Sequence, residues 1–314
     1  MMPQLVLVTG GAGFVGSHLT SALVKRGFRV RVLDNLSRGR IEYIERFIQD
    51  GSVEFIDGDI RYPDTVTKCM KDVDYVFHEA AVCINRSLQY PQESLDINLY
   101  GSYNVFKIAL DHGVKKVIFA SSASVYGEPQ QIPISEDHPL NPLTPYCVSK
   151  ISCEYLLRFL ARQGLKYFIL RYFNIYGPRQ PTDAYYTSVI LLFIKNLLHG
   201  KPPVILGEGS QTMDFVHVDD VVQANLLAMK SPVTNEVVNI GSATQTSILD
   251  LAKMLINIMG ADVEPIFQKR EILVKKRQAD ISKARKILGY TPTKDLATGL
   301  KELIEDIKKY PEYY

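Results

Sequence analysis

Tryptophan is absent from the 314-residue sequence, and cysteine occurs only four times, at Cys69, Cys83, Cys147 and Cys153. No two of these cysteines have the C-x-x-C spacing, and no histidine cluster lies near them in the sequence. The pattern therefore supports neither a disulfide framework nor a zinc site. Unpaired cysteines of this kind are typical of a reducing compartment, so we expect a cytoplasmic protein that binds no metal.

The sequence also lacks a large excess of charge of either sign and a long apolar run. Its 36 basic and 34 acidic residues give a formal net charge of +2, so neither nucleic acid nor a membrane surface is an expected partner. No run approaches the roughly 18 apolar residues of a membrane span. The apolar start at residues 5–8 is too short for a signal peptide. Repeats and low-complexity linkers are absent, and the length fits one large α/β domain or two modest ones.

A glycine-rich turn between two apolar runs is the first positive signal. Residues 4–9 are apolar, the glycines follow at 10–16, helical spacing continues over 17–26, and a second apolar run at 28–33 ends in Asp34. Strand, glycine turn, helix, strand and acid in this order predict the βαβ unit that binds a dinucleotide. The pyrophosphate of the ligand is expected on the helix N-terminus.

The acid at Asp34 favours NAD over NADP as the cofactor. A carboxylate accepts hydrogen bonds from the ribose hydroxyls and repels a 2′-phosphate. Arg38 and Arg40 are the opposing signal, because arginines near this point can bind a 2′-phosphate. The position of Asp34 at the end of the second strand outweighs them.

Three further apolar runs, each ending in small or polar residues, predict more of the sheet. They are 53–56 before Asp59, 73–77 before Ala80 and Ala81, and 117–120 before Ser121 and Ser122. Helical segments alternate with the runs, and the one at 91–110 contains Asn98. A parallel sheet is therefore predicted, with its ligands at the carboxyl ends of the strands. Asp59 would meet an adenine amino group or be a surface turn acid, and Ser122 would hydrogen-bond a reacting oxygen or cap a turn.

Tyr146 and Lys150 lie four residues apart in a segment with helical spacing that begins with Pro145. Residues at i and i+4 are neighbours on one helix face. An ammonium beside a phenol favours the phenolate, which makes Tyr146 a candidate general base near neutral pH. Taken alone, such a pair usually just decorates a helix surface. Its weight comes from the glycine turn and Ser122, which the sheet is expected to bring to the same crevice.

These segments together resemble the extended short-chain dehydrogenase/reductase family, and within it the nucleotide-sugar epimerases of the UDP-glucose 4-epimerase type. The resemblance runs through TGGAGFVG at 9–16, DNL at 34–36, DI at 59–60, DIN at 96–98, SSASVYG at 121–127, Y-x-x-x-K at 146–150, RYFN at 171–174, DFVHVDD at 214–220, NIG at 239–241 and AD at 279–280. It implies an α/β fold, namely a Rossmann-type doubly wound parallel sheet with a smaller interleaved α/β substrate-binding lobe. It also implies NAD as the cofactor and a UDP-sugar as the substrate.

The resemblance, with the glycine turn and Asp34, also gives a predicted site. The catalytic residues are Ser122, Tyr146 and Lys150. The cofactor-binding residues are Gly10, Gly13, Phe14, Val15, Gly16, Asp34, Asn35, Asp59, Ile60, Ala80, Ala81, Asn98, Ser121, Tyr146, Lys150 and Tyr172. The substrate-binding residues are Ser122, Tyr146, Asn174, Val189, Arg179 and Arg270.

The expected reaction is NAD-dependent 4-epimerisation of UDP-glucose and UDP-galactose, or of the N-acetylated pair, through a transient 4-keto sugar. Family dehydratases carry an Asp-Glu pair after the fifth strand and decarboxylases a glutamate there, whereas this chain has Ala123. A UDP-glucuronate 4-epimerase or another nucleotide-sugar oxidoreductase is the alternative within the family. A non-catalytic NAD-binding sensor or scaffold is the alternative from another class.

Two departures from the family pattern leave the sugar and the nucleotide open. Met213 stands where many members have an arginine that pairs with a phosphate, and we expect Arg179 to replace that bond. Arg277 stands where a small residue admits an N-acetyl group and a bulky one excludes it. Residues 184–190 favour the opposite conclusion, because they resemble the same segment of epimerases that act on N-acetylated sugars.

The second half of the sequence is predicted to carry most of the substrate lobe. We expect the NAD-binding domain at 1–173 with a return at about 214–245, and the substrate lobe mainly at 174–314. Within the second half, strands are predicted at 204–206 and 236–240, and helices at 187–198, 218–229 and 247–259. The apolar stripes at 94–110 and 149–161 match the helices that pair in family dimers, so a homodimer is expected by resemblance.

Overall fold

The computed structural model describes residues 4–182, 188–269 and 275–314. The strands are β1 (Leu5–Thr9), β2 (Arg29–Asp34), β3 (Val53–Asp57), β4 (Tyr75–His78), β5 (Lys116–Ser122), β6 (Tyr167–Tyr172), β7 (Asn174–Tyr176), β8 (Val204–Leu206), β9 (Thr212–Met213), β10 (Phe215–His217), β11 (Glu236–Ile240), β12 (Thr246–Ser247) and β13 (Ile266–Gln268).

The helices alternate with the strands through the first half of the chain. They are α1 (Phe14–Val24), α2 (Glu45–Gln49), α3 (Pro63–Met70), α4 (Ile84–Gln89), α5 (Pro91–Leu95), α6 (Ser102–Asp111), α7 (Pro145–Ala161), α8 (Val189–Leu198), α9 (Val218–Lys230), α10 (Ile248–Met259), α11 (Ser282–Leu288) and α12 (Leu296–Lys309). Short 3-10 turns cover Ile41–Tyr43, Ala123–Tyr126 and Pro311–Tyr313.

Seven strands form one parallel sheet in the order β11-β6-β5-β4-β1-β2-β3. This is the doubly wound arrangement, in which the strand order reverses beside β1 and a ligand crevice opens at the carboxyl ends. The predicted parallel α/β sheet is confirmed. The strand predicted at 236–240 is present as β11 and pairs with β6 at the edge of the sheet.

The two faces of the sheet carry separate apolar clusters, because successive side chains of a strand point to opposite faces. In β1, Val6 and Val8 belong to one cluster, and Leu5 and Leu7 to the other. A third cluster is built around α8, α10 and α12 of the second half. Short strand pairs accompany this smaller unit: β7 with β10, β8 with β13, and β9 with β12.

The segment predicted as one helix at 91–110 contains a π-helical turn, Asp96–Gly101, between α5 and α6. The backbone carbonyl of Asn98 accepts hydrogen bonds from Ser102 Oγ at 2.6 Å and from Cys153 Sγ at 3.1 Å. These side-chain donors compete with the regular helical ladder. Single π turns of this kind occur frequently beside functional sites.

Candidate active site

The carboxyl ends of β1, β2, β4 and β5 border a cleft of about 610 Å³. Residues of the glycine turn line one end of it, and Tyr146 and Lys150 line the other. Of the residues predicted for the site, the cleft wall includes Gly10, Gly13, Phe14, Val15, Gly16, Asp34, Asn35, Asp59, Ile60, Ala80, Ala81, Ser121, Tyr146, Lys150, Tyr172 and Arg179. The fold thus brings together residues that are up to half the chain apart.

The glycine turn is tight enough to require glycine at two positions. Gly10 has a φ of +69°, and a Cβ added there would lie 2.8 Å from the Ala80 backbone. A Cβ at Gly16 would lie 2.0 Å from the carbonyl oxygen of Gly10. Helix α1 begins directly after the turn, and no side chain caps its first amides. Its N-terminus therefore presents N–H groups and positive dipole charge to the cleft.

Asp34 ends β2, and both oxygens of its carboxylate are held by the backbone. The amide of Ala12 donates to Oδ2 at 3.0 Å, and the amide of Leu36 donates to Oδ1 at 2.9 Å. Burial raises the pKa of Asp34, and these two hydrogen bonds oppose the rise. Each carboxylate oxygen can accept more than one hydrogen bond, so the side chain keeps acceptor capacity toward the cleft.

Asp59 lies in the cleft wall, but its carboxylate is already engaged with the neighbouring side chains. Arg61 donates to it through Nε at 3.1 Å and through a terminal nitrogen at 2.8 Å. Asn35 donates to the same carboxylate at 3.0 Å. Burial raises the pKa of Asp59, but the bonds from Arg61 and Asn35 outweigh it and leave the pKa below its ordinary value.

Asn98 does not line the cleft, and its side chain holds a loop that does. Its Oδ1 accepts the Val82 amide at 2.8 Å, and its Nδ2 donates to the Val82 carbonyl at 3.2 Å. Ala80 and Ala81 stand directly before Val82 and face the cleft. We propose that Asn98 positions this loop, which is an indirect form of the predicted cofactor role.

Helix α7 brings Tyr146 and Lys150 to the cleft. Pro145 occupies its first position, and the hydroxyl of Thr144 accepts the Cys147 amide at the N-cap. The ammonium of Lys150 donates to the Ala120 carbonyl at 2.7 Å and lies 5.6 Å from the centre of the Tyr146 ring. Burial lowers the pKa of Lys150. A cation is thus held at one fixed point beside the phenol.

Ser121 and Ser122 at the end of β5 have different surroundings. Ser121 Oγ donates to Glu154 at 2.6 Å and faces the cleft. Ser122 is half-buried beyond the cleft wall, and its Oγ accepts from both the amide and the hydroxyl of Ser124. The predicted turn cap at Ser122 is therefore present. Because both bonds use the oxygen as an acceptor, its own proton is left to donate.

The family described as the NAD dependent epimerase/dehydratase family matches residues 6–241. The chain belongs to this family. Over 97% of its length it is 40% identical to a putative UDP-glucose 4-epimerase of Methanocaldococcus jannaschii, covering 98% of that protein.

Solved structures of family members superpose on almost the whole chain. The UDP-glucose 4-epimerase of Thermotoga maritima, solved with UDP-glucose, matches with a TM-score of 0.92 and 39% identity, over 98% of this chain and 100% of that one. The UDP-N-acetylglucosamine 4-epimerase of Methanobrevibacter ruminantium, solved with UDP-N-acetylmuramic acid, matches with a TM-score of 0.93 and 34% identity, over 98% and 99%.

Membership of the family makes NAD the cofactor, and the cleft fits it. The glycine turn leaves room where a Cβ would collide, and the uncapped α1 N-terminus stands beside it. Asp34 offers acceptors at the tip of β2, as a ribose diol requires.

Within the described residues, no helix combines the length and the apolar character needed to cross a membrane.

Glu79 is a cleft residue that the sequence reasoning did not select. The Tyr172 hydroxyl donates to its Oε1 at 3.0 Å and accepts from Asn225 at 2.7 Å. Burial raises the pKa of Glu79 to about 7, although the bond from Tyr172 and the charge of Lys150 oppose the rise. The only sequence signal was its place after β4, directly before Ala80.

The residues predicted for the substrate are spread over the second half. Asn174 begins β7, and its Nδ2 donates to the Asp214 carbonyl at 3.2 Å, while Val189 is the first residue of α8. Met213 lies in the short strand β9 and pairs with Thr246. Arg270 lies outside the described residues. Asn174, Val189 and Met213 do not line the cleft, whereas Arg179 does, at the end with the glycine turn.

Proposed function

We propose that the chain catalyses NAD-dependent 4-epimerisation of a UDP-hexose through a transient 4-keto sugar. The observation that supports this most directly is the convergence of Tyr146 and Lys150 on the cleft whose glycine turn and Asp34 fit NAD. A fixed ammonium beside a phenol is the arrangement that an alcohol oxidation needs, since the hydroxyl proton must leave with the hydride. The similar proteins described above are consistent with the proposal.

In this mechanism NAD, held by the glycine turn and Asp34, would supply the hydride acceptor for oxidation at the sugar C4 and the hydride donor for reduction from the opposite face. Tyr146, as phenolate, takes the proton from the 4-hydroxyl and gives it back in the second half of the cycle. Lys150 favours the phenolate by its charge, and its bond to the Ala120 carbonyl fixes the position of that charge. Ser122 donates its free proton to the same sugar oxygen, which stabilises the developing negative charge.

Epimerisation further requires that the keto sugar rotate in the site, so that its opposite face meets the nicotinamide, while its nucleotide stays bound. The smaller unit around α8, α10 and α12 would anchor the UDP moiety, with Asn174 and Arg270 as the proposed contacts. Whether the sugar is glucose and galactose or the N-acetylated pair depends on the space beside Arg277. We propose UDP-glucose and UDP-galactose as the first pair to test.

The proposal is tested by incubating the protein separately with UDP-galactose and with UDP-N-acetylgalactosamine, without added cofactor, and analysing the products. We expect interconversion of at least one pair with no net release of NADH. Tyr146→Phe should keep its fold and bind NAD but lose turnover by about 10²- to 10⁴-fold. Tyr62→Phe, with an exposed side chain outside the cleft wall, is the matched control. Undiminished turnover in Tyr146→Phe would rule out the assigned mechanism.

We also propose that the protein is a homodimer. Tyr100 and Tyr103, together with Val148, Tyr155 and Phe159 of α7, are exposed large apolar or aromatic residues. The three α7 residues fall at positions 148, 155 and 159, which is one face of the helix. A second copy would cover this face. Light scattering should give twice the chain mass, and the double substitution Tyr155→Glu with Phe159→Glu should yield monomers.

A further inference from the structure

Two segments that are distant in sequence meet at the glycine-turn end of the cleft. One is the loop 177–182, and the other is the tyrosine segment, which we define as residues 310–314. Arg179, Pro181 and Thr182 of the loop and Tyr313 of the tyrosine segment all line the cleft there. The sequence reasoning gave no role to the tyrosine segment and placed Arg179 at the diphosphate of the sugar nucleotide.

Arg179 is held with its guanidinium beside α1. Its NH1 group donates to Ser17 Oγ at 3.1 Å, and the guanidinium lies 5.2 Å from the centre of the Tyr43 ring. Burial lowers the pKa of Arg179. Among residues 4–182, 188–269 and 275–314, no carboxylate lies within ion-pair distance of it. A desolvated cation without an acidic partner is costly unless an anion joins it.

The loop that carries Arg179 is fixed by long-range hydrogen bonds. The Arg179 amide donates to the Tyr314 hydroxyl at 2.6 Å, and that hydroxyl donates to Asp306 of α12 at 2.6 Å. Thr182 Oγ1 donates to the Tyr314 carbonyl. Arg179 has a φ of +65°, a conformation that non-glycine residues rarely adopt, so these contacts hold it in a strained position.

Tyr313 forms the adjoining part of the wall. Its ring meets the Tyr43 ring edge-on, with 5.3 Å between the centres, and the Arg40 guanidinium lies 5.3 Å from its centre. On its other side it stacks with Tyr310 at 5.5 Å. Tyr43 and Arg40 belong to the stretch after β2 that also lines the cleft beside Asp34.

We propose that Arg179 binds the pyrophosphate of NAD, that Tyr314 is its positioning residue, and that Tyr313 closes the adenosine half of the cofactor site. The pyrophosphate belongs at the α1 N-terminus, and Ser17 in the first turns of α1 places the guanidinium at that end. The negative charge of the cofactor would supply an anion at close range, whereas the described carboxylates act on Arg179 only from a distance, as Asp306 does. Arg179 is thereby assigned to the cofactor and not to the sugar nucleotide.

The first test compares the affinities of the Arg179→Asn variant for NAD and for UDP, by calorimetry on nucleotide-free protein. Asparagine tolerates the left-handed backbone, so the loop should keep its shape. We expect NAD affinity to fall by about 10- to 100-fold, the range of a buried charge-assisted hydrogen bond, and UDP affinity to stay unchanged. Arg26→Asn, an exposed arginine two residues beyond the C-terminal end of α1, is the matched control and should change neither affinity. A fall in UDP affinity with NAD affinity intact would overturn the proposal.

The second test is a double-mutant cycle that separates positioning from mere stabilisation. Tyr314→Phe keeps the ring but removes the hydroxyl, and should weaken NAD binding by about 3- to 10-fold in the wild-type background. In the Arg179→Asn background, Tyr314→Phe should not lower the NAD affinity any further. Equal losses of NAD affinity in both backgrounds would show that Tyr314 does not act through Arg179. Both tests measure NAD binding, so they stand even if the sugar proves to be a different one.

Discussion

Two buried cations, Arg171 behind the cleft and Lys150 at its wall, have opposite surroundings. Arg171 of β6 uses four of its five N–H donors, since it donates to both oxygens of Glu154 at 3.0 and 2.6 Å, to the Tyr126 hydroxyl and to the Glu136 carbonyl. Lys150 of α7 is equally buried, but within the described residues its ammonium donates to a single acceptor, the carbonyl of Ala120. Burial lowers the pKa of both groups, and only at Arg171 do the bonds from Glu154 outweigh it and raise the pKa.

This difference separates a stabilising role from a reactive one. A charge with most of its donors paired, as at Arg171, fixes the ends of β5 and β6 and α7 relative to each other and has little left for a ligand. The ammonium of Lys150 has N–H donors that are not used within the described residues, and it lies at the wall of the cleft. Its burial lowers stability, but it can interact with a ligand that binds there. The comparison predicts that substitution by methionine will lower turnover at Lys150 and the stability of the fold at Arg171.

The largest expected effect is that of Lys150→Met on turnover. Removing the ammonium beside Tyr146 should lower kcat by about 10²- to 10⁴-fold, because the phenolate loses its stabilising charge. The thermal midpoint should hold or rise, since the cost of burying the charge disappears. Lys116→Met is the matched control, because Lys116 is also a buried lysine bonded to backbone carbonyls but lies outside the cleft. Loss of turnover in Lys116→Met as well would break the comparison.

The next effect is that of Arg171→Met on stability. Glu154 would be left buried and unpaired, so the free energy of unfolding should fall by about 3–5 kcal/mol, measured by urea denaturation. Turnover per folded molecule should stay within a few-fold of the wild type. Arg171→Met combined with Glu154→Leu should recover much of the loss, because no charge is then left without a partner. A catalytic defect without a folding defect would contradict the structural role.

The smallest effect concerns the pH dependence introduced by Glu79. Its pKa is about 7 in the folded chain against 4.5 for an ordinary glutamate, so between these pH values the folded state binds more protons than the unfolded state. Stability should therefore fall as pH rises from about 4.5 to 7, by on the order of 2 kcal/mol. Glu79→Gln should flatten that decline in urea denaturation without cofactor. Glu42→Gln, an exposed glutamate, should leave it in place.

The sequence predicted the parts of the structure that depend on local patterns. The glycine turn, the acid ending β2 and the start of α7 at Pro145 are all encoded within a few residues, and the structure has them where the patterns put them. The resemblance added the order of the later segments. Fold class and the NAD cofactor follow from these features together, and both predictions are confirmed.

Contacts between distant residues could not be predicted in this way. The bond between Glu79 and Tyr172 joins positions 93 residues apart, and that between Arg179 and Tyr314 joins positions 135 apart. The periodicity of apolar residues along the sequence contains no information on which distant residues pair. The pairing of Asp59 with Arg61 is local, but it could not be predicted either. Both interpretations of Asp59, a contact to the adenine amino group and a surface turn acid, are compatible with it. The π turn at Asn98 depends on Cys153 and Val82, which belong to other elements.

The place of β11 at the edge of the sheet has a consequence for how the chain acquires its structure. This strand covers β6 only after the segments for β7 to β10 and for α8 and α9 have been synthesised. Until then β6 is an open edge, and α1 lacks α9, which packs against it in the finished fold. A fragment ending at residue 173 should therefore aggregate and not fold as an independent nucleotide-binding module. During synthesis from the N-terminus, we therefore expect the sheet to close late and its open edge to be prone to aggregation until then.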